Sequence, residues 1–147
     1  MYLLDTNVIS ELRKNRPHGA VLAWLKFVPN KKVHLCAATL GEIQTGVERT
    51  REQDAAKAAD IEAWADLVAT RFNVIPMDAE AFRLCAKLMH RRTNALYIDA
   101  MIAACALQHG LTVVTRNVRD FIPFGVALLN PFEYAAQHEA ENKNEKP

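Results

Sequence analysis

The sequence predicts an α/β domain built on a parallel sheet with helices over both faces. Short apolar runs recur along the chain, and one or two stretches with apolar residues at helical spacing separate each run from the next. Strands joined through helices pack as right-handed crossovers, which makes the sheet parallel and covers both its sides. Size agrees, because 147 residues suit one compact domain that buries about 68–70% of the surface its unfolded chain exposes. No internal repeat and no long linker divides the chain. Residues 1–134 therefore read as one domain and residues 135–147 as a polar C-terminal tail.

Tyr2-Leu3-Leu4 is the first strand, ending at Asp5, and Thr6-Asn7 are placed to cap a helix running to about Lys14, where Asn15-Arg16-Pro17 stops it. His18 to Val28 repeats Val21, Leu22, Trp24, Leu25 and Val28 at helical spacing and closes at Pro29-Asn30. Val33 to Ala37 is the second strand. Thr39 opens a helix on which Leu40, Ile43 and Val47 keep the helical period. The Ala-rich segment from Asp54 to Arg71 sets Ile61, Trp64, Leu67 and Val68 on one side of another. Phe72 to Pro76 is the third strand, and Asp78 caps a helix from Ala79 to Arg92. Leu96 to His109 is helical, with Gly110 as its left-handed terminal residue. Leu111 to Thr115 and Val126 to Leu129 complete the strands, and Asn130-Pro131 opens a last short helix. From His138 the sequence lacks apolar anchors and reads as a frayed tail. Trp24, Trp64 and Phe82 fall at core spacing and read as packing rather than as platforms for stacked bases.

Composition excludes several classes. Half the residues are hydrophobic and 24% are charged, the balance of a soluble globular chain. The 18 Lys and Arg against 17 Asp and Glu leave +1, which says nothing of partners, since a basic patch can sit on a neutral molecule. The longest mostly apolar stretch, Ala95 to Leu107, is broken by Asp99 and falls short of the roughly 20 residues that span a bilayer. Met1 leads almost at once into strand-like sequence, without the basic and apolar regions of a secretory signal. Cys36, Cys85 and Cys105 are odd in number, widely spaced and lack a Cys-x-x-Cys pair. That usage points to a reducing cytoplasm and away from a thiolate metal site.

Sites in parallel-sheet folds lie beyond the carboxyl ends of the strands, and four acids fall at or near that edge. Asp5 ends the first strand, Glu42 lies in the first turn of the helix after the second, and Asp120 follows the fourth. Asp99 sits inside the most apolar helix, among Leu96, Ile98, Met101 and Ile102. Singly, the first three have ordinary readings: Asp5 as a turn or cap, Thr39-Leu40-Gly41-Glu42 as a capping box, Asp120 as a loop residue. Asp99 does not, because an unpaired charge in apolar surroundings is costly without a partner or an opening. Clustered carboxylates repel one another, and a hard divalent cation such as Mg²⁺ or Mn²⁺ reverses that cost through oxygen ligation.

Other chemistries find less support. Ser10 is the only serine and lacks the Gly-x-Ser-x-Gly elbow. Gly41 to Gly46 has phosphate-loop spacing, but Val47-Glu48 stands where Lys-Ser/Thr is needed, and no Gly-x-Gly-x-x-Gly follows a strand. The five histidines show no metal-ligand spacing, and His34 and His109 read as structural.

Leu3-Leu4-Asp5-Thr6-Asn7-Val8-Ile9-Ser10-Glu11 resembles the opening of PIN-domain ribonucleases, especially toxins of the VapC and FitB type. Glu42 in Thr-Leu-Gly-Glu-Ile, Asp99-Ala100-Met101-Ile102-Ala103-Ala104, Thr115-Arg116-Asn117-Val118-Arg119-Asp120-Phe121 and Asn130-Pro131-Phe132 follow in family order, so the resemblance covers about residues 1–134. It implies a PIN-like three-layer fold with a central, mostly parallel sheet flanked by helices. It also implies Mg²⁺- or Mn²⁺-dependent cleavage of RNA, a homodimeric toxin and a cognate antitoxin through which alone DNA is reached. Asp5, Glu42, Asp99 and Asp120 match the family's acidic quartet of metal ligands. Thr6 and Asn7 match its first turn, and Thr115 and Asn117 match polar positions lining the site. Some relatives carry an acid where Asn117 stands.

Positive charge for RNA is sought in Arg116 within the last motif and in Lys87, Arg91 and Arg92, which close the helix before the one bearing Asp99. Arg13, Lys14 and Arg16 form another cluster. Val21, Leu25 and Ile43 border a groove suited to an antitoxin helix, though the same residues serve as ordinary core. Two rival readings are a metal-dependent nuclease acting on structured DNA and a non-catalytic module whose acids bind a regulatory ion.

Overall fold

The computed structural model describes residues 1–134; the polar tail expected over residues 135–147 lies outside them. Among the described residues five short strands form one sheet: β1 (Tyr2–Leu4), β2 (Val33–Cys36), β3 (Asn73–Ile75), β4 (Thr112–Val114) and β5 (Leu128–Leu129). Their order is β3-β2-β1-β4-β5 and every neighbouring pair is parallel. The chain lays down β1, β2 and β3 in one direction, then returns to place β4 and β5 on the other side of β1. The order therefore reverses between β1 and β4, the kind of point at which open parallel sheets bind ligands.

Successive strand residues point to opposite faces, and here both faces are buried. Leu4, Leu35 and Val114 face one core with Val8, Val21, Trp24, Val47 and Val68, which come from α1 (Thr6–Ile9), α2 (Gly19–Phe27), α3 (Ala37–Arg51) and α4 (Ala55–Arg71). Their neighbours Leu3, Cys36 and Val113 face a second core with Cys85, Ile102, Ala103 and Phe121, from α5 (Ala79–Met89), α6 (Tyr97–His109) and α7 (Val118–Phe121). Double burial is why the strands read as continuous apolar runs. No helix among the described residues is long and apolar enough to cross a membrane.

Several expected signals are used as read. Asp54 accepts a hydrogen bond from the Lys57 amide at 3.0 Å and Asp78 from the Ala81 amide at 2.8 Å, capping α4 and α5. Asn130 caps the last turn through the Phe132 amide at 3.0 Å. Gly110 ends α6 at φ 65°, a conformation that costs a residue with a Cβ roughly 1–2 kcal/mol.

Five local expectations are corrected. α1 is capped by Asp5 rather than by Thr6-Asn7, because Asp5 Oδ1 accepts from the Thr6 amide at 2.7 Å. Past Ile9 the helix tightens into a 3₁₀ turn over Ser10–Arg13. That turn buries Glu11, whose carboxylate accepts from the His18 amide at 3.0 Å and pairs with Lys14 at 2.5 Å, tying the first helical segment to the start of α2. α3 begins at Ala37, straight off β2, so Thr39 and Glu42 form no capping box; Thr39 is buried and Glu42 lies in the second turn, exposed. α5 stops at Met89 instead of Arg92 because Arg91 turns to φ 62°, as a helix-ending left-handed residue does. Phe82, expected in the core, is 46% exposed, since Ala81, Leu84, Cys85 and Leu88 make the inward face of α5.

Candidate active site

The reversal of strand order brings the ends of β1 and β4 side by side, and the residue following each strand is polar and buried. The Asp5 amide donates to Val114 O at 2.9 Å, so the carboxyl group of Asp5 emerges at the seam. Its Oδ2 accepts from the Thr115 hydroxyl at 2.7 Å and from Asn7 Nδ2 at 3.1 Å, while Oδ1 is held by the Thr6 amide. The Asn7 side chain also donates to Thr115 Oγ1 at 3.4 Å and accepts from the Arg116 amide at 3.2 Å. Thr115 Oγ1 accepts from the Asn117 amide at 3.0 Å. Thr6, Asn7, Thr115 and Asn117, expected to line a site, thus form one network whose centre is Asp5. The Thr6 hydroxyl is buried without a partner among the described residues.

The other three acids converge electrostatically on this seam. Burial, then the charges of Asp5, Asp120 and Glu42, push the half-buried Asp99 carboxyl up to about 7. Asp5 is also raised: burial outweighs the hydroxyl of Thr115 and the amide of Thr6, and Glu42 and Asp120 add repulsion. Each of the two inner acids therefore feels the two outer ones, Glu42 on α3 and Asp120 on α7. No three His, Cys, Asp or Glu side chains among the described residues form a ready-made cage for an ion. What the structure offers is an all-oxygen, mutually repelling donor set with a spare hydroxyl beside it. That set fits Mg²⁺, which keeps several waters and takes one or two carboxylates in place of a closed protein shell. Asp5 and Asp99, the two buried or half-buried acids on which the charges of Glu42 and Asp120 both act, would hold it.

Replacing Thr115 by Val keeps its shape but removes the hydroxyl that holds Asp5 and receives the Asn117 amide. Loss of a buried charge-assisted bond costs about 1.5–3 kcal/mol, so Thr115→Val is expected to lower unfolding free energy by that amount in urea titrations at neutral pH. An unchanged midpoint would remove Thr115 from its place in the network.

The predicted cations fare differently. Arg116 lies at the seam, its guanidinium 4.9 Å from the centre of the Phe132 ring, and with Asn117 and Asp120 it lines a cavity of about 500 Å³. Arg92 is occupied elsewhere: it donates to Leu88 O at 2.9 Å and Pro123 O at 3.3 Å and lies 5.3 Å over Phe124, fastening the end of α5 to the turn after α7. Lys87 borders a separate cavity with Glu80 and Arg83 on α5, where none of the four acids sits. Arg91 is exposed at the left-handed end of that helix. Sequence reasoning passed over Arg119 and Glu133, which also line the cavity at Arg116. Arg119 lay within the Thr115-to-Phe121 motif, and its place one turn from Arg116 was the available signal.

Fold and site together define a three-layer α/β protein with an acidic site at the switch point of its sheet. The chain belongs to the PIN-domain family, whose model matches residues 2–122. It is 36% identical over 146 residues to VapC ribonuclease Y4jK of Sinorhizobium fredii, covering 92% of this chain and 100% of that protein. It is 34% identical over 139 residues to toxin FitB of Neisseria gonorrhoeae, covering 90% and 99%. Among solved structures, FitAB bound to an IR36 DNA fragment superposes with a TM-score of 0.76 at 32% identity, covering 90% of this chain and 96% of that one. FitAcB from N. gonorrhoeae gives 0.75 at 33%, covering 90% and 99%. The fold and the kinship with VapC and FitB toxins expected from the sequence are those found.

Proposed function

We propose that this protein is the toxin of a VapBC-type toxin–antitoxin pair, a Mg²⁺-dependent endoribonuclease in which Asp5, Glu42, Asp99 and Asp120 carry the chemistry, with Mn²⁺ able to substitute. The observation that carries the reading is the mutual repulsion of four acids about the β1–β4 seam: burial, then Glu42 and Asp120, raise Asp5, and burial, then Asp5, Asp120 and Glu42, push Asp99 up to about 7. Clustered carboxylates repel a phosphodiester; the arrangement is useful only with a cation between acids and substrate. The chemistry that bound Mg²⁺ supplies is a stronger water nucleophile at neutral pH and relief of the charge gathering on the phosphate.

The chain's own residues do the positioning. Thr115, Asn7 and the Thr6 amide fix both oxygens of Asp5, so its carboxylate points one way without rearrangement on binding. Asp99 lies in the first turn of α6, and Glu42 on α3 and Asp120 on α7 act on both inner acids through their charge. Arg116, at the edge of the same seam, supplies positive charge for the RNA backbone. A cytoplasmic homodimer restrained by an antitoxin, through which DNA is reached, completes the proposal; a protein partner agrees with the FitAB complex solved on a DNA fragment. An arginine of the antitoxin is the natural occupant of so acidic a pit.

The test is digestion of single-stranded RNA and DNA of one sequence by the purified chain. RNA is expected to be cut in Mg²⁺ or Mn²⁺ and to survive in EDTA, with activity returning when metal is restored. Cleavage that persists in EDTA removes the metal from the reaction, and preferential cutting of DNA makes the protein a deoxyribonuclease.

A further inference from the structure

We propose that the cavity between α7 and the chain after β5 is a nucleotide subsite, holding one residue of the RNA strand next to the phosphodiester that is cut. The inference rests on the ribonuclease reading and assigns it a further substrate contact. The cavity measures about 500 Å³, within the 300–1,000 Å³ of small-ligand sites. It shares Asp120 with the acidic site, so a strand whose phosphate lies at the acids passes directly into it. Arg116, Asn117, Arg119 and Asn130 line it, with Asp120 and Glu133 at its border.

Two features mark it as built for a nucleotide. Both arginines lack a carboxylate within 4 Å among the described residues, although two acids border the same cavity. Unpaired guanidinia beside an acidic pit are phosphate donors in waiting. Arg116 is also steadied: Phe132 covers its guanidinium on one side, and its amide is bonded to the Asn7 side chain that holds Asp5. An arginine plane so placed is a surface on which an unstacked RNA base can rest. The Asn117 side chain and Nδ2 of Asn130, whose Oδ1 is used in capping, supply polar edges for that base. The α5 cavity lacks this connection, since no acid of the site borders it.

The experiment reads RNA binding without cleavage. Anisotropy of a short fluorescent single-stranded RNA is followed against salt in the Asp99→Asn background with EDTA present. Arg119→Ala is the cleaner variant because its side chain makes no hydrogen bond, ion pair or ring contact among the described residues. It is expected to weaken binding about 5–10-fold and to reduce the slope of log K against log salt by about 0.7, one phosphate contact on a single strand. Adding Arg116→Ala is expected to reduce the slope by about 1.4 in all, and Arg119→Lys to restore it. Arg83→Ala, on the unconnected α5 cavity, is expected to change nothing. RNA binding with an unaltered slope in the double variant overturns the subsite, whatever the wild-type chain does to RNA. Conversely, a lost slope in a chain that never cuts RNA upholds the subsite and overturns the enzymatic reading instead.

Discussion

Replacing Asp99 by Asn is expected to lower RNA cleavage by more than about 100-fold while making the metal-free protein more stable. Removing an outer partner of a metal ligand typically costs about 10–100-fold, and Asp99 is proposed as a ligand itself. The amide keeps the size of the carboxyl, so the packing among Leu96, Ile98 and Met101 is undisturbed. It removes the charge that burial and three neighbouring acids oppose. Activity and stability should therefore move in opposite directions, as they do when a strained functional group is replaced by a neutral one. Asp5→Asn is expected to abolish cleavage equally but to cost stability. Its carboxylate accepts three hydrogen bonds, and an amide nitrogen would face the Asn7 amide donor. Single-turnover cleavage assays with urea titrations of both variants separate the cases. Wild-type cleavage rates in Asp99→Asn with Mg²⁺ present would end the assignment.

Without divalent metal, unfolding free energy is expected to fall as pH rises toward 7. The folded protein keeps the Asp99 proton up to about 7, whereas the unfolded chain releases it near 3.8. Between those values the folded state binds more protons, so each step up in pH favours unfolding. The stabilising contribution is whole below the unfolded value and gone once pH passes the folded one. Asp5, raised for similar reasons, acts in the same direction. Glu11, Glu48 and Asp78 are held low, by Lys14, Gln44 and the Ala81 amide respectively, and act oppositely, but only below 4.5. The window from about pH 5 to about 7 thus belongs to the acidic site. Mg²⁺ binding the folded state alone should flatten the curve, and Asp99→Asn should flatten it without metal. Urea titrations across that window in EDTA, in Mg²⁺ and with the variant check all three. Stability that rises through the window in EDTA would show that the acids do not confront one another.

Much of this protein is written in local pattern. The apolar runs at Tyr2, Val33 and Leu111, the helical spacing through Trp24 and Val47, and the caps at Asp54, Asp78, Asn130 and Gly110 depend on neighbours within a turn or two. Each is used by the structure largely as it reads. The candidate acids were visible for a related reason: a carboxylate at a strand end or inside an apolar helix is out of place in any compact fold.

What local pattern misjudged were choices between two acceptable conformations. Glu11 could leave the first helix only because the His18 amide waited for it. α3 could start at Ala37 only because β2 delivered the chain there directly. Phe82 was displaced because α5 had four better residues to turn toward α6.

By itself the sequence determined which segments become strands and helices, where most of them end, and which side chains carry the charge. Tertiary structure alone decided that Asp5 and Thr115, 110 residues apart, share a hydrogen bond, and that Arg116 and Arg119 open onto a cavity beside Asp120. The reason is range: helix and strand propensity acts between residues a few positions apart. Strand order comes from burying both faces of the sheet at once, and it is that order which places the ends of β1 and β4 together.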